Sequence, residues 1–292
     1  YPLVVEVIAG ERITVAAPYF NKVVLPIMVA IVMLMALGPV LPWRKSSASK
    51  MRQLLTVPFL VGVAAIAFSF AFGVRHAIAL LALAAIGIVL SSIALDIRRS
   101  VGARIAVSGE SWWRGLRTLA LWNRRRYGGF LVHIGVTLIT FGIVASGLFL
   151  ETKTVVLAPG DRFEIGGYAL RFDGVVPVEG PNWAARQANL DVSYGATPLG
   201  VFAPQRRNYP RGEMTTTESA ILSTVSGDLY LVIGEELAGN RASIRAYYIP
   251  LVNWIWAGWI VMILGSLFAL SQSRVEAPAA RRAGGTAMAV RP

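Results

Sequence analysis

Long runs of apolar residues, separated by short basic segments, make up most of this chain. A helix needs about 20 predominantly apolar residues to cross the hydrocarbon core of a bilayer. Five stretches reach that length, near Val23–Leu41, Leu54–Phe72, Ala77–Ile97, Gly129–Leu150 and Leu251–Ser271. The pattern therefore predicts a polytopic α-helical membrane protein with about five transmembrane helices.

Residues 151–248 show a different pattern, in which apolar and polar residues alternate over short segments bounded by Gly, Pro and Asp. Alternation with period two is typical of half-buried strands. Four segments show it clearly, at Tyr168–Asp173, Asn189–Tyr194, Asp228–Ile233 and Ser243–Tyr248. We predict a small β-rich domain, folded as a barrel or a sandwich. The pattern of Met214–Thr224 is ambiguous.

The composition agrees with a membrane protein, since 55% of the residues are hydrophobic and only 15% are charged. Soluble domains carry about a quarter charged residues. The chain has no cysteine, which excludes disulfides, zinc–thiolate sites, iron–sulfur clusters and covalent haem attachment to this chain. Motifs of the Walker, Ser-His-Asp or His-Glu-x-x-His type do not occur, which disfavours nucleotide-driven pumps and hydrolases.

The net charge of +12 is concentrated at the ends of the apolar stretches, whereas acids slightly outnumber bases in residues 151–248. This distribution indicates membrane topology rather than nucleic-acid binding. By the positive-inside rule the basic loops are cytoplasmic. The predicted order is an outer N-terminal segment (1–22), three spans (23–97), a cytoplasmic basic amphipathic segment (98–128), a span (129–150), an outer β-rich domain (151–248), a span (251–272) and a disordered cytoplasmic tail (273–292).

A histidine lies inside the fourth predicted span, roughly 6 Å deep on helix geometry. An imidazole in hydrocarbon is costly without a partner, so His133 is a candidate functional residue, and neutral imidazole is a common axial ligand of haem iron. His133, Thr137, Thr140 and Val144 share one narrow helix face that a flat macrocycle can approach. The sequence leaves open a structural histidine bonded to a neighbouring helix, with both threonines bonded back to their own turns.

The second histidine, His76, falls in the predicted outer turn, and we expect it to be solvated there. About 20 Å then separates it from His133 across the membrane, so the two cannot ligate one iron. A second axial ligand for His133 must come from a thioether such as Met35, or from protein outside this chain.

Two further groups of residues combine aromatic and basic side chains. Trp112 and Trp113, with the arginines that follow, predict an amphipathic helix lying on the cytoplasmic membrane surface. In the outer domain, polar and aromatic loop residues are candidates for contact with a partner or with haem propionates, the alternative being solvated surface; they are Trp183, Arg206, Arg207 and Tyr209.

An ordered set of short motifs resembles the C-terminal half of the CcmF family, the haem lyase subunit of cytochrome c maturation. The motifs extend over nearly the whole chain: Tyr1-Pro-Leu, Pro18-Tyr-Phe-Asn, Gly38-Pro, Tyr127–His133, Gly180-Pro-Asn-Trp, Arg207-Asn-Tyr, Met214-Thr, Asp228-Leu-Tyr, Gly234-Glu-Glu-Leu and Trp254-Ile-Trp-Ala-Gly. The resemblance implies a multi-pass protein of the bacterial inner membrane whose β-rich domain is periplasmic.

The resemblance also implies a function. Family members take haem from a periplasmic haem chaperone and, with thiol-handling maturation subunits, join it to CxxCH thiols of apocytochrome c. They hold a transmembrane haem b, proposed to be reduced by quinol, for which His133 matches one axial ligand. The family's tryptophan-rich segment and first haem b ligand are absent from this sequence. We therefore expect the chain to be incomplete for catalysis, either as a fragment or as half of a split protein.

Two alternatives to part of a haem lyase (a holocytochrome c synthase type of enzyme) stay open from the sequence. One is a non-catalytic docking subunit of the same assembly, in which His133 is structural. The other is a component of a haem or small-molecule transporter, although inverted repeats typical of such transporters are not seen. Catalytic residues for thioether formation are not identified.

Overall fold

The computed structural model describes residues 25–37, 48–210 and 214–271. The predicted outer segment 1–22 and tail 273–292 lie outside these residues. The helices are α1 (Leu25–Leu37), α2 (Ala48–Ala71), α3 (Ala77–Ser108), α4 (Trp112–Trp122), α5 (Arg124–Leu148) and α6 (Asn253–Leu270). The strands are β1 (Glu151–Leu157), β2 (Arg162–Ile165), β3 (Tyr168–Glu179), β4 (Ala184–Tyr194), β5 (Thr197–Phe202), β6 (Gln205–Tyr209), β7 (Met214–Glu218), β8 (Ala220–Thr224), β9 (Gly227–Leu237) and β10 (Arg241–Pro250).

Four helices in the described part of the chain, α2, α3, α5 and α6, are long and apolar enough to cross a membrane. The described part of α1 is apolar but shorter. Large apolar side chains point outward from these helices, as lipid-facing residues do; they include Phe59, Leu60, Phe68, Trp256 and Leu264. The predicted class, a polytopic helical membrane protein with a small β-rich domain, is confirmed.

Helix α3 is longer than the span predicted from its apolar residues. It continues beyond Ile97 to Ser108 and ends at Gly109, which adopts the left-handed conformation (φ 65°) that glycine readily allows at a helix C-terminus. Helix α4 then folds back onto α3 through Gly115, where an added Cβ would lie 3.5 Å from Val101 Cγ1. The amphipathic helix predicted from Trp112 and Trp113 is therefore present, but α3 includes the first part of the basic segment.

Helices α5 and α6 pack against each other, antiparallel, through glycines. A Cβ added at Gly135 would lie 2.5 Å from Met262 Cγ and 2.7 Å from the Gly258 carbonyl oxygen. The same crowding recurs one heptad earlier, where a Cβ at Gly128 would lie 2.6 Å from the Gly265 carbonyl oxygen. Small residues at such contacts let two helix backbones approach closely in a membrane.

The β-rich domain is inserted between α5 and α6 and consists of two packed sheets. One sheet has the order β1-β10-β9-β8, and the other has β2-β3-β4-β6-β7 with β5 also paired to β4. Strand β1 follows α5 and pairs with β10, which precedes α6, placing Glu151 opposite Tyr248. Phe172, Leu190 and Ile244 are fully buried between the sheets, and this shared interior is the core of a sandwich.

The four strands predicted from alternation all exist, and each is longer than predicted. The other strands were missed because several of them, such as β5 and β7, are largely exposed and do not alternate buried with exposed positions. The ambiguous stretch Met214–Thr224 contains two strands, β7 and β8, interrupted at Ser219. These strands belong to different sheets, so no single period describes the stretch.

Hydrogen bonds tie the start of α6 to the hairpin between β8 and β9. The Asn253 side-chain amide donates to the Thr224 carbonyl oxygen at 2.6 Å and to Asp228 Oδ1 at 2.7 Å. Leu251 adopts the left-handed conformation, and its backbone amide donates to the Ser226 carbonyl oxygen at 2.9 Å. The sandwich is thus anchored to the membrane helix at this end.

Substitution of Gly135 by alanine should destabilise the protein. The added methyl group has to push α6 away, and overpacking of this kind costs about 1–3 kcal/mol. Thermal unfolding of the detergent-solubilised protein measures the loss. Gly147→Ala is the matched control, because an added Cβ there meets no described atom within 4 Å. Equal melting temperatures for the two variants would show that α5 and α6 are not closely packed.

Candidate functional site

The His133 side chain is held by its own helix. Its Nδ1 lies 2.7 Å from the Gly129 carbonyl oxygen, and because a carbonyl only accepts hydrogen bonds, Nδ1 carries the proton. In the neutral ring Nε2 then has a free lone pair. None of the described residues forms a hydrogen bond with Nε2. An imidazole oriented by a backbone carbonyl, with its second nitrogen available, is the usual form of a metal-ligating histidine.

The circumference of α5 is divided among three environments. Gly135 faces α6 and lies two positions after His133, about 200° around the helix. Phe130 and Tyr127 pack with Val89 of α3 in a buried apolar cluster. Space is open one helical turn before His133, because a Cβ atom added at Gly129 would meet no described atom within 4 Å.

The two threonines predicted on the His133 face are not equivalent. Thr137 is 2% exposed, and its hydroxyl donates to the Ile134 carbonyl oxygen at 2.7 Å. Thr140 is half-buried and donates to the Val136 carbonyl oxygen at 2.8 Å. Both hydroxyls therefore bond back to their own helix, and of the two only Thr140 has surface available for contact with a group outside the described residues.

His76 lines a cavity of about 240 Å³ at the other end of α5, together with Val144 and Gly147. Those two residues follow His133 by 11 and 14 positions, or about 16 and 21 Å along a helix. His76 and His133 are therefore too far apart to ligate one iron. Met35, the thioether suggested by the sequence, packs against the buried cluster of Val89 and Phe130.

In the sandwich, the pleat of β6 separates the candidate contact residues, because successive side chains point to opposite faces of a sheet. Arg207 lies over the ring of Trp183, 4.3 Å from its centroid, and its Nη1 is 3.6 Å from Glu218 Oε1. Tyr209 shares the Arg207 side of the strand. Arg206 points the other way, so the four residues do not form one site.

Arg206 lines a cleft of about 420 Å³ between the two sheets, along with Arg186, Glu236, Asn208 and Thr215. Arg186 lies directly opposite Arg206 in the sheet and forms a two-pronged ion pair with Glu236 on the other sheet, with Nε 2.7 Å from Oε2. Arg206 forms no ion pair with the described residues. No local sequence pattern indicates Arg186 and Glu236, because their ion pair bridges two sheets.

The position of this cleft follows from the course of β9. Gly227 begins the strand beside the start of α6, and Glu236 lies nine residues further on, about 30 Å away at the rise of a strand. The cleft is therefore at the end of the sandwich farthest from α6. The Arg186 guanidinium hydrogen-bonds Glu236 and holds the pKa of that carboxyl below its usual range.

Comparisons with known proteins cover both parts of this structure. Residues 148–250 match the family model described as the CcmF C-terminal beta-sandwich. The solved structure "Cytochrome c Heme Lyase CcmF" superimposes with a TM-score of 0.72 at 27% identity, covering 93% of this chain and 42% of that one. The chain is similar to the C-terminal part of CcmF.

Curated relatives agree with that assignment. The chain is 29% identical to the cytochrome c-type biogenesis protein CcmF of Haemophilus influenzae, over 94% of this chain and 41% of the relative. It is 31% identical to the cytochrome c-type biogenesis protein CycK of Rhizobium meliloti, over 97% of this chain and 41% of the relative. The resemblance to CcmF drawn from the short motifs is confirmed. The chain spans about two fifths of the length of these relatives.

Replacing Glu236 by glutamine should destabilise the CcmF-like sandwich by about 0.2–1 kcal/mol at neutral pH, the range for an exposed ion pair. A carboxyl whose pKa is lowered by folding stabilises the folded state above its unfolded pKa. That contribution is lost as the pH falls through the folded pKa, so the difference from the unsubstituted protein should vanish in acid. Melting temperatures at neutral and acid pH measure this difference. The control is Glu235→Gln, which alters a neighbouring residue outside this ion pair. A difference that persists in acid would contradict the ion pair.

Proposed function

We propose that this chain forms the C-terminal part of a cytochrome c haem lyase in the bacterial inner membrane and serves the biogenesis of c-type cytochromes. The observation that carries the proposal is that both the membrane helices and the sandwich match CcmF over most of the chain. A likeness confined to the sandwich would support a fold alone.

In this proposal His133 is an axial ligand of a transmembrane haem b. The residues at this position fit the group. His133 Nδ1 is hydrogen-bonded to the Gly129 carbonyl, Nε2 is free, and the open space at Gly129 leaves room for a flat ring. In the described part of the chain no three carboxylate or imidazole groups come together as a metal site, whereas a porphyrin brings its own equatorial nitrogens. Bound haem supplies reversible one-electron chemistry, for which quinol is the proposed electron source.

We further propose that the sandwich lies in the periplasm and that α4 lies at the cytoplasmic surface. The support is the distribution of charge. Exposed arginines crowd the end of the bundle where α3, α4 and α5 meet, and positive charge marks the cytoplasmic side. The sandwich continues α5 and α6 at the opposite end.

Completion of the lyase requires protein beyond these residues, either on the same polypeptide or on a partner subunit. This part of the proposal rests on the fraction of the relatives that the chain spans. The proposed partners are a periplasmic haem chaperone, thiol-handling maturation subunits and apocytochrome c, with haem as the transient substrate. The second axial ligand would come from the remaining portion.

A second candidate function is a docking subunit of the same assembly. The cleft beside Arg206 favours it, because an arginine without an acidic partner among the described residues lies in a concave, partly polar space. Arg207 and Trp183 are engaged with each other and fit a structural role better. Both candidate functions agree on the pathway and differ in whether His133 binds haem.

Purified in complex with its maturation partners, the protein should show a Soret band that His133→Gly removes almost completely. His76→Ala, which changes the other histidine, should leave the band unchanged. Added imidazole should restore the band in His133→Gly, since a free ligand can replace a lost axial nitrogen but cannot repair a misfolded helix. Full haem content in His133→Gly would exclude the ligand and favour the docking function.

Arg206→Gln should lower the cellular yield of c-type cytochrome several-fold while the amount of this protein in the membrane stays constant. Arg207→Gln should instead lower the amount of the protein, because it removes the contact with Trp183. Haem-stained gels give the cytochrome yield, and immunoblots give the protein level. An unchanged cytochrome yield in Arg206→Gln would show that the cleft is not a contact site for a partner.

A further inference from the structure

Helix α4 presents a mixed aromatic and basic face to its surroundings. Residues four apart lie on the same side of a helix, so Trp113, Arg117 and Leu121 form one row, and Arg114 and Trp122 lie in the neighbouring row. All five side chains are exposed, Trp113 at 75% and Trp122 at 66%. The opposite side, through Gly115, packs on α3.

Positive charge at this end of the bundle is not neutralised by the protein itself. Asp96 and Glu110 are the only acids between residues 77 and 150. Asp96 is occupied by Arg126, with Oδ2 2.6 Å from Nη2, and Glu110 by Arg104, with Oε1 3.0 Å from Nη2. Four exposed arginines form no direct ion pair with an acid among the described residues: Arg98, Arg99, Arg114 and Arg117. Of these, Arg114 still interacts with Glu110 through its charge, at longer range than Arg104 does.

The aromatic residues of this face are oriented rather than randomly exposed. The Arg104 guanidinium lies 4.8 Å from the centre of the Trp122 ring and is itself held by Glu110. The Trp112 and Trp113 rings meet edge to face, with centroids 4.7 Å apart. Indole rings favour the headgroup region of a bilayer, and α4 directly joins two helices long enough to span one.

We propose that this face of α4 binds anionic phospholipid, with Arg114 and Arg117 contacting headgroup phosphates while Trp113 and Trp122 enter the interfacial layer. The chemistry of the face is that of an amphipathic helix lying in a membrane surface, where basic and aromatic residues act together. Charge complementarity selects the ligand, because guanidinium groups bind phosphate oxygens closely. The acid that interacts with Arg114, Glu110, is hydrogen-bonded to Arg104 instead. The proposal is independent of haem binding.

The test uses the protein reconstituted into phosphatidylcholine vesicles that contain some phosphatidylglycerol. Tryptophan fluorescence is quenched with brominated phosphatidylglycerol in one series and brominated phosphatidylcholine in the other, at equal content. The anionic lipid should quench more strongly, and Trp113→Phe should reduce that excess. The protein's preference for phosphatidylglycerol over phosphatidylcholine should fall about fivefold in Arg114→Gln and about fivefold in Arg117→Gln. A fivefold ratio corresponds to about 1 kcal/mol per arginine.

The controls separate charge from structural damage. Asp96→Asn combined with Arg126→Gln removes an ion pair from the same end of the bundle without changing net charge, and should retain the preference. Arg117→Lys keeps the charge and should retain most of the preference for anionic lipid. Inorganic phosphate added to the buffer should not abolish the preference if a lipid is bound. Equal quenching by the two brominated lipids would overturn the proposal, because the face would then contact lipid without selecting anionic headgroups.

Discussion

The close contact between α5 and α6 is the constraint that links the membrane part of this protein to its sandwich. Paired strands lie about 4.8 Å apart, whereas helix axes usually lie about 8–10 Å apart. Because α5 leads into β1, and β10 into α6, and the two strands pair with Glu151 opposite Tyr248, the helices that flank the sandwich have to approach closely. Gly135 and Gly258 permit this approach, since each lacks a Cβ where the other backbone lies.

That contact also determines which side of α5 is available for function. One sector is used by α6 and a second by the apolar cluster with α3, so His133 and Gly129 occupy what remains. The sequence left open a structural histidine bonded to a neighbouring helix. In the structure the His133 imidazole bonds to its own backbone, whereas both threonines bond back to their own helix as that alternative expected. The close packing of α5 and α6 would keep the orientation of the His133 imidazole constant relative to the sandwich.

The sandwich changes character along its length. Near α6 it is tied down by Asn253 and filled by apolar residues, whereas at its far end the space between the sheets becomes charged. Two arginines directly opposite each other in a sheet repel, as Arg186 and Arg206 do here. Glu236 neutralises the charge of Arg186 but not that of Arg206. Departures from favourable pairing of this kind are expected where a protein binds something.

The sequence by itself determined the helical membrane class, the position of the β-rich domain, the place of His133 in a long apolar helix and the CcmF resemblance. These depend on length, period and local motif, which are properties of neighbouring residues. Only the tertiary structure decided that Gly135 meets Gly258, that Arg206 and Arg207 serve different surfaces, and that Arg186 reaches Glu236. Those pairings join residues on different strands or helices, and they depend on which faces pack together, which no local period encodes.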